Sequence, residues 1–389
     1  MSEQGAAGTP VPVKPPRARR PKNAIVEVLG GLMSLAFVLA IAALVGFFVG
    51  WKQFVAPGPL PEAKEIYFAK RQSIDDIAFR LEREGVISSA WLFQAAVHLK
   101  QAKLKAGEYR FKKNASMSHV VAVLESGKSI LHPVSIPEGL TSEQIVARLM
   151  EKDFLDGAAP VPAEGTLLPE TYLVTRGTTR QDLLQQMARA QRKVLQDVWE
   201  HRAPGLPIST PEELAVLASI VEKETGKPEE RARVAAVFHN RLKKQMKLET
   251  DPTIIYGLAG GKGSLGRPLT TNDLRQDTRY NTYMYKGLPP TAIANPGRAA
   301  LEATARPLTT NDLYFVADGT GGHVFAETFQ EHQRNVARWR EIQAQRRAAG
   351  AETADPNDKV PVDAVASDGA VRPAPEPADQ RRTQARRRR

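Results

Sequence analysis

The stretch Thr210-Pro-Glu-Glu-Leu-Ala-Val-Leu-Ala-Ser-Ile-Val-Glu-Lys-Glu-Thr225 has the pattern of a helix with one apolar face. Thr210 can cap its N-terminus, Pro211 suits the first helical position, and Glu213 would complete a capping box. Gly226, which is followed by a proline, is a suitable stop. The apolar stripe predicted to face a core consists of Leu214, Leu217, Ala218 and Val221.

Two carboxylates, Glu222 and Glu224, lie in the last turn of this predicted helix, at opposite borders of the apolar stripe. The residues one turn before Glu224 are Ile220 and Val221, and branched aliphatic neighbours disfavour the charged form of a carboxyl group, which raises its pKa. The helix dipole also disfavours a negative charge at this end. The alternative is that both are solvated residues at the end of a helix. If one carries acid chemistry, the pattern favours Glu224.

The composition excludes several kinds of site. The chain of 389 residues is long enough for two or three domains, and it contains no cysteine. Disulfides, thiol nucleophiles and cysteine-ligated zinc are therefore excluded. The net charge is +11, of which residues 1–23 contribute +4 and residues 341–389 contribute +2. The remaining +5 is an ordinary surface charge, so we expect no nucleic-acid partner.

Residues 28–50 form an uncharged, mostly apolar run of 23 residues. At about 1.5 Å per residue such a helix reaches about 35 Å, enough to cross a membrane. Five basic residues precede it, so the positive-inside rule places the N-terminus in the cytoplasm and the rest outside. A cleaved signal peptide is the competing interpretation, but the run is long for one. We expect a disordered arm at 1–23 and a transmembrane helix at 24–51.

Residues 62–130 have the pattern of a small α+β subdomain. Capped helices are predicted at 73–82 and 116–125, a further helix at 90–99, and strands at 66–68 and 108–111. The order strand–helix–helix–strand resembles a LysM domain, a module that binds glycan. A structural spacer without a ligand has the same layout. A connecting βα unit is predicted at 131–163, with a strand at 133–136 and a helix at 141–149.

Residues 164–342 are predicted to form a second, mixed α+β domain, so the fold class is α+β. Helices are expected at 180–202, 210–225, 229–246 and 298–305, and a hairpin at 313–325. The segment 248–297 is rich in turn residues and aromatics, and residues 343–389 are predicted to be a disordered tail.

The turn-rich segment supplies amide, hydroxyl and aromatic side chains of the kind that bind sugar rings. The candidate substrate-binding residues are Asp251, Thr253, Tyr256, Tyr280, Asn281, Thr282, Tyr283 and Asn295. The alternative is that the tyrosines only pack within loops. The glycine-rich segment 257–263 lacks the spacing of a phosphate loop, and no His-Glu-x-x-His or Gly-x-Ser-x-Gly motif is present. We expect no metal and no cofactor.

Several ordered motifs carry a resemblance to a known family. They include Leu217-Ala-Ser-Ile-Val-Glu-Lys-Glu-Thr225, Val237-Phe-His-Asn-Arg-Leu242, Leu248-Glu-Thr-Asp-Pro-Thr-Ile-Ile-Tyr-Gly257, Tyr280-Asn-Thr-Tyr283 and Ile293-Ala-Asn-Pro-Gly297. Together they resemble the YceG-like (MltG) endolytic murein transglycosylase family over roughly residues 60–340. The two ends of the chain fall outside the resemblance.

The resemblance implies an enzyme of the inner membrane, with its catalytic domain in the periplasm, that cuts nascent peptidoglycan strands internally between MurNAc and GlcNAc. It also implies that the second glutamate of Glu-Lys-Glu-Thr, here Glu224, is the catalytic acid. Its products would carry 1,6-anhydroMurNAc ends. Glycan strands are the expected substrate, and peptidoglycan synthases are candidate partners.

Two other functions stay open at the level of sequence. A muramidase would hydrolyse the same bond and would use a second carboxylate, such as Asp251, to activate water. A scaffold that binds peptidoglycan without cutting it would need no acid at all.

Overall fold

The described part of the chain begins with a long apolar helix, α1, from Ala24 to Val55. The computed structural model describes residues 24–348, so the predicted arm at 1–23 and the tail beyond residue 348 lie outside the described residues. Within α1, Val28–Val55 is long and apolar enough to cross a membrane. The helix runs four residues past the predicted end, because Phe54 is buried in the core of the subdomain that follows.

Two units make up the chain, Met1–Ser129 and Ile130–Arg389. In the first unit the elements after α1 are β1 (Lys64–Phe68), α2 (Ile74–Arg83), α3 (Ala90–Lys100), β2 (Gly107–Phe111) and α4 (Met117–Ser126). β1 pairs antiparallel with β2, with Ile66 opposite Tyr109. The predicted order strand–helix–helix–strand is confirmed, whereas glycan binding by this subdomain stays a prediction.

The predicted hydroxyl caps begin three helices. Ser73 accepts the N–H of Asp76 at the start of α2, and Ser116 accepts that of His119 at the start of α4. Thr141 does the same at the start of α5 (Ser142–Met150). Each side chain satisfies one of the N–H groups that a helix N-terminus leaves without a partner.

The second unit begins with a small sheet layer. Its elements are β3 (His132–Ser135), α5, β4 (Leu155–Asp156), β5 (Thr171–Val174), β6 (Thr178–Thr179) and α6 (Arg180–Glu200). β3 pairs antiparallel with β5, and β4 pairs parallel with β6. This pairing joins residues on both sides of position 163, and the predicted boundary between a connecting unit and a catalytic domain stays a prediction. Both parts share one core, which includes Val134, Ile145, Tyr172 and Leu183.

Helices form the next layer of the second unit. They are α7 (Pro211–Glu224), α8 (Pro228–Lys243), α9 (Asp251–Ala259) and α10 (Arg298–Ala305). Helix α7 is the centre, because α6, α8, α9 and α10 all pack against it. The prediction of one apolar stripe was too narrow: Ala215, Ser219 and Ile220 are buried as well.

Two helices differ from the sequence-based expectation. Residues 251–259 were expected to be turns but form α9, which begins at Asp251-Pro252, a proline position that suits the first turn of a helix. A final helix, α11 (Phe329–Ala348), was not predicted, and it continues six residues into the expected tail. Its Val336 and Trp339 pack on the predicted hairpin, which consists of β7 (Tyr314–Ala317) and β8 (His323–Ala326).

Asn295 joins the helical layer to the sheet layer. Its Oδ1 accepts the N–H of Leu167 at 3.0 Å, and its Nδ2 lies within 3.3 Å of the Leu140 carbonyl, Ser142 Oγ and Glu164 Oε2. The side chain is fully buried. Since buried polar groups need partners, this one amide satisfies groups from two separate segments of the chain.

We expect Asn295→Ala to lower the free energy of unfolding by roughly 2–3 kcal/mol, because it leaves buried groups on two segments without partners. Urea unfolding followed by tryptophan fluorescence measures the change. Asn272→Ala is the control, since Asn272 is exposed and its loss should change the stability by less than about 0.5 kcal/mol. Equal unfolding midpoints for the two variants would contradict this role of Asn295.

Candidate active site

Helix α7 positions the two candidate carboxylates at its C-terminal end. Thr210 caps the helix by accepting the N–H of Glu213 at 3.1 Å, and Pro211 occupies its first position. The predicted capping box does not form, because Glu213 Oε2 instead accepts the N–H of Ser209 at 2.6 Å. Glu224 is the last helical residue.

Glu224 is buried, with 5% of its surface exposed. The hydroxyl of Thr250 donates a hydrogen bond to Glu224 Oε1. The side chain of Glu222 is also only 5% exposed, so the alternative that these are solvated end-of-helix residues is wrong for both. This carboxyl group, held in place by a hydroxyl group, is therefore the candidate general acid of the site.

Thr250 was not among the residues predicted from sequence. It occupies the N-cap position of α9, where a threonine side chain ordinarily caps its own helix, but here it makes no such bond. Its hydroxyl instead reaches Glu224, 26 residues earlier in the chain. Thr250 could have been identified from the sequence by its position directly before Asp251-Pro252, a pair that is typical of a helix start.

Thr250 is itself held by two of the predicted residues, Thr253 and Thr282. The N–H of Thr250 donates to Thr282 Oγ1 at 3.1 Å, and the hydroxyl of Thr253 donates to the Thr250 carbonyl at 2.7 Å. The hydroxyl oxygens of Thr253 and Thr282 are 2.8 Å apart. All three threonines are buried, so they form a connected hydroxyl network behind the Glu224 carboxyl group.

Tyr283 and Asp251 lie beside this network. The Tyr283 hydroxyl donates to Asp251 Oδ1 at 2.8 Å. Burial raises the pKa of Tyr283 well above its usual range, and the nearby charges of Asp251, Glu224 and Glu249 add to the increase. The tyrosine therefore keeps its proton, and the structure brings Asp251, Tyr283 and Glu224 into one electrostatic environment.

Asn281 shapes the loop that carries Thr282 and Tyr283. Its Nδ2 donates to the carbonyls of Leu274 and Gln276 at 3.0 and 2.7 Å. Its Oδ1 accepts the N–H of Tyr283 at 2.9 Å. The amide is buried, so it acts as the internal support of this turn.

Tyr256 and Tyr280 form a second aromatic cluster. Their rings contact edge to face, with centroids 4.9 Å apart, and the Tyr280 hydroxyl lies 2.8 Å from Thr291 Oγ1. Burial raises the pKa of Tyr256 far above its usual range, and the Glu164 carboxylate, which this hydroxyl contacts, adds to the increase. The Asn295 side chain contacts the same Glu164 carboxylate. The predicted residues therefore fall into two groups, one at Glu224 and one at Glu164.

Glu222 has different partners from Glu224. Its Oε2 accepts the N–H of Gly297 at 3.0 Å, and its Oε1 lies 3.6 Å from Arg231, which also pairs with Glu138. Burial raises the pKa of Glu222, while the Gly297 N–H and the Arg231 charge oppose this effect. These bonds hold the segment around Gly297 against α7, which is a structural role.

Within residues 24–348, no group of three histidine, aspartate or glutamate side chains is arranged to hold a metal ion. The functional groups that the structure brings together at Glu224 are a carboxyl group, hydroxyls and a second carboxylate. This set can donate and accept protons.

Comparison with known proteins relates the chain to a family. A YceG-like protein from Listeria monocytogenes, known from a crystal structure, is 28% identical, with a TM-score of 0.44 over 70% of this chain and 98% of that one. An endolytic murein transglycosylase of Streptococcus pneumoniae (strain D39) is 29% identical and aligns with 79% of this chain. The chain spans only 62% of the length of that relative.

The endolytic murein transglycosylase of Bacillus subtilis (strain 168) is 30% identical, over 67% of this chain and 81% of the relative. The model of the YceG-like family matches residues 66–338, which is more than half of the chain and includes Glu224 and Thr250. The chain belongs to the YceG-like family.

Proposed function

We propose that this protein is an endolytic murein transglycosylase and that Glu224 is its catalytic acid. The observation that carries the proposal is the buried Glu224 carboxyl group at the end of α7, held by the Thr250 hydroxyl. Membership of the YceG-like family supports it, as do the names of the relatives in S. pneumoniae and B. subtilis.

In the proposed reaction, protonated Glu224 donates its proton to the glycosidic oxygen between MurNAc and GlcNAc. The bond from that oxygen to C1 of MurNAc breaks, and the oxygen leaves as a hydroxyl of GlcNAc. The C6 hydroxyl oxygen of the same MurNAc bonds to C1, and the Glu224 carboxylate takes the C6 proton. No water is consumed, and the product is a 1,6-anhydroMurNAc end. Closure within one sugar ring benefits from a high effective concentration.

One carboxyl group is enough for this reaction, whereas glycosidases usually need two. Glu224 serves first as an acid and then as a base. The Thr250 hydroxyl supports both steps, because it orients the carboxyl group and stabilises the carboxylate that forms after proton transfer. Thr253 and Thr282 hold Thr250 in that orientation.

The substrate-binding roles are proposals as well. Asp251 and Tyr283 lie beside the hydroxyl network and would bind the sugar near the acid, and the rings of Tyr256 and Tyr280 would stack against sugar rings further along the strand. Asn281 supports Tyr283 by accepting its N–H, Thr253 and Thr282 support Thr250, and Asn295 contacts the Glu164 carboxylate that Tyr256 also contacts. No metal or cofactor takes part in the proposed reaction.

We further propose that α1 anchors the protein in the inner membrane, with the second unit in the periplasm. The segment before α1 contains five basic residues and only one acidic residue, and this excess of positive charge supports a cytoplasmic N-terminus. The first unit would bind the glycan strand in the manner of a LysM module, and peptidoglycan synthases are candidate partners because the enzyme would act on newly made strands.

A muramidase is the second candidate, and one observation favours it. Asp251 directly follows Thr250 and accepts a hydrogen bond from the Tyr283 hydroxyl. The charges of Asp251 and Glu224 both raise the pKa of Tyr283, so a second carboxylate is part of the same site. In that case Asp251 would activate a water molecule, and the products would carry reducing ends in place of anhydro ends.

We expect Glu224→Gln to lower the rate of anhydroMurNAc formation by at least about 100-fold, because the variant cannot donate the proton. Mass spectrometry of glycan strands digested by the full-length protein in lipid vesicles identifies the ends. Glu222→Gln is the matched control. It can still accept the N–H of Gly297, so it should keep most of the activity.

If the unaltered protein gave products with reducing ends, the muramidase would replace the transglycosylase as the proposed function. If neither the unaltered protein nor Glu224→Gln gave cleavage products, the remaining function would be that of a scaffold that binds peptidoglycan without cutting it.

We expect Thr250→Val to lower kcat by roughly 10-fold or more with little change in KM, since it removes one hydrogen bond to a charged group, worth about 1.5–3 kcal/mol. Thr250→Ser keeps the hydroxyl and should restore most of the rate. Steady-state kinetics on isolated glycan strands measure both. A Thr250→Val variant with unchanged kcat would show that this hydroxyl has no part in the reaction.

A further inference from the structure

Helix α1 is longer than a membrane span requires. About 20 residues suffice to cross the hydrocarbon core, so a span that starts at Val28 is complete near Phe47. The helix nevertheless continues to Val55. Its last two turns, which include Trp51, therefore lie at the level of the membrane surface.

Helix α3 packs against this end of α1. Gly50 lies next to Leu92 of α3, where a methyl group added to the glycine would come within 3.5 Å of the Leu92 side chain. Phe54 is buried in the core that α3 helps to form. A groove of about 290 Å³ runs between the two helices, lined mainly by Phe47, Trp51, Trp91, Leu92 and Leu99. This contact places α3 at the same level as the end of α1.

Helix α3 carries exposed apolar residues on its outer side, next to His98, as well as buried ones on its inner side. Phe93 and Val97 are buried in the core, as expected for a helix of a small domain. On the opposite side, Trp91 and Leu99 are 76% and 79% exposed, with the exposed Ala95 between them. These three residues are spaced four apart, so they form one stripe along the helix. We call this stripe the outer face of α3.

The outer face continues the exposed apolar surface of α1. Trp51 of α1 and Trp91 of α3 both line the groove, and Trp51 is 51% exposed. Tryptophan is enriched where a membrane meets water, because its ring is apolar and its N–H is polar. A surface that joins a membrane-spanning helix without a break is most simply covered by the same membrane.

Basic residues border this surface. Lys52 lies 5.8 Å from the centre of the Phe48 ring, and Lys100 lies 5.0 Å from that of Phe54. Lysines that extend from an apolar surface toward phosphate groups favour a membrane with anionic lipids as the occupant, and each contributes about 1 kcal/mol near such a surface.

We propose that the outer face of α3 is embedded in the interface of the membrane that α1 spans. This inference rests on the membrane anchor proposed above. The first unit is then held at the bilayer surface by two contacts, a spanning helix and a helix that lies at the interface. Its orientation to the membrane is set by α3, because one helix alone leaves rotation about its own axis unrestricted.

The absence of cysteine allows a direct test on the full-length chain. Ala95→Cys, labelled with the fluorophore NBD, is reconstituted into vesicles of phosphatidylcholine and phosphatidylglycerol (about 7:3) that contain a lipid with a nitroxide on its acyl chain. Lys70→Cys is the control, since Lys70 is exposed in the turn after β1. We expect quenching at Ala95 to be at least about three times that at Lys70.

A second variant tests the stripe itself. Trp91→Glu combined with Leu99→Glu, in the Ala95→Cys background, should reduce the quenching to the level at Lys70. Both side chains are exposed, so the fold should persist, and circular dichroism checks this. Equal quenching at Ala95 and Lys70 would overturn the proposal. Quenching that rises with the amount of protein per vesicle, and not with the amount of nitroxide lipid, would also overturn it, because it would indicate that a second copy of the chain covers the stripe.

Flotation of the vesicles separates the two proposals. A chain that does not float with the vesicles lacks the membrane anchor, and both proposals then fail. A chain that floats but whose Ala95 label is not quenched keeps the anchor and overturns only the membrane contact of α3.

Discussion

The burial of α7 is the constraint on which the rest of the second unit depends. Eight of its fourteen residues are buried, including Ser219 and Glu224, which a helix with a single apolar face would leave at the surface. Each polar group on such a helix needs a partner from another part of the chain, because an unpaired buried polar group costs about 1–3 kcal/mol. The partners of α7 therefore determine where the neighbouring loops lie.

Three polar residues of α7 illustrate this dependence. Ser219 accepts the N–H of Ile293 at 3.1 Å, and Glu222 accepts that of Gly297 at 3.0 Å, so both hold the same segment. That segment contains Asn295, which in turn binds the backbone of Leu167. Glu224 is turned toward Thr250 and the start of α9. Two carboxylates that are two residues apart thus contact different segments, and this separates a structural glutamate from the candidate acid.

The sequence predicts elements well where their signals are local. Apolar spacing and hydroxyl caps were enough to predict α2, α4 and α5, because the capping residue and the apolar stripe of such a helix both lie within about ten residues of sequence. Helix α9 was missed because it has only nine residues, one of them Gly257, and lies in a segment that is otherwise rich in turn residues. Helix α11 was missed because few of its residues are apolar, with Val336 and Trp339 supplying its contact with the hairpin.

By itself, the sequence determined the α+β class, the apolar N-terminal helix and the family through its ordered motifs, and it named Glu224 as the candidate acid, which stays a prediction. Each of these depends on patterns that can be read along a short stretch. Only the tertiary structure decided that Thr250 binds the candidate acid, that Glu222 is tied to Gly297, and that Asn295 joins two layers. These are hydrogen bonds between residues 26 to 128 positions apart, which arise when packing brings distant segments together and leaves no trace in local spacing.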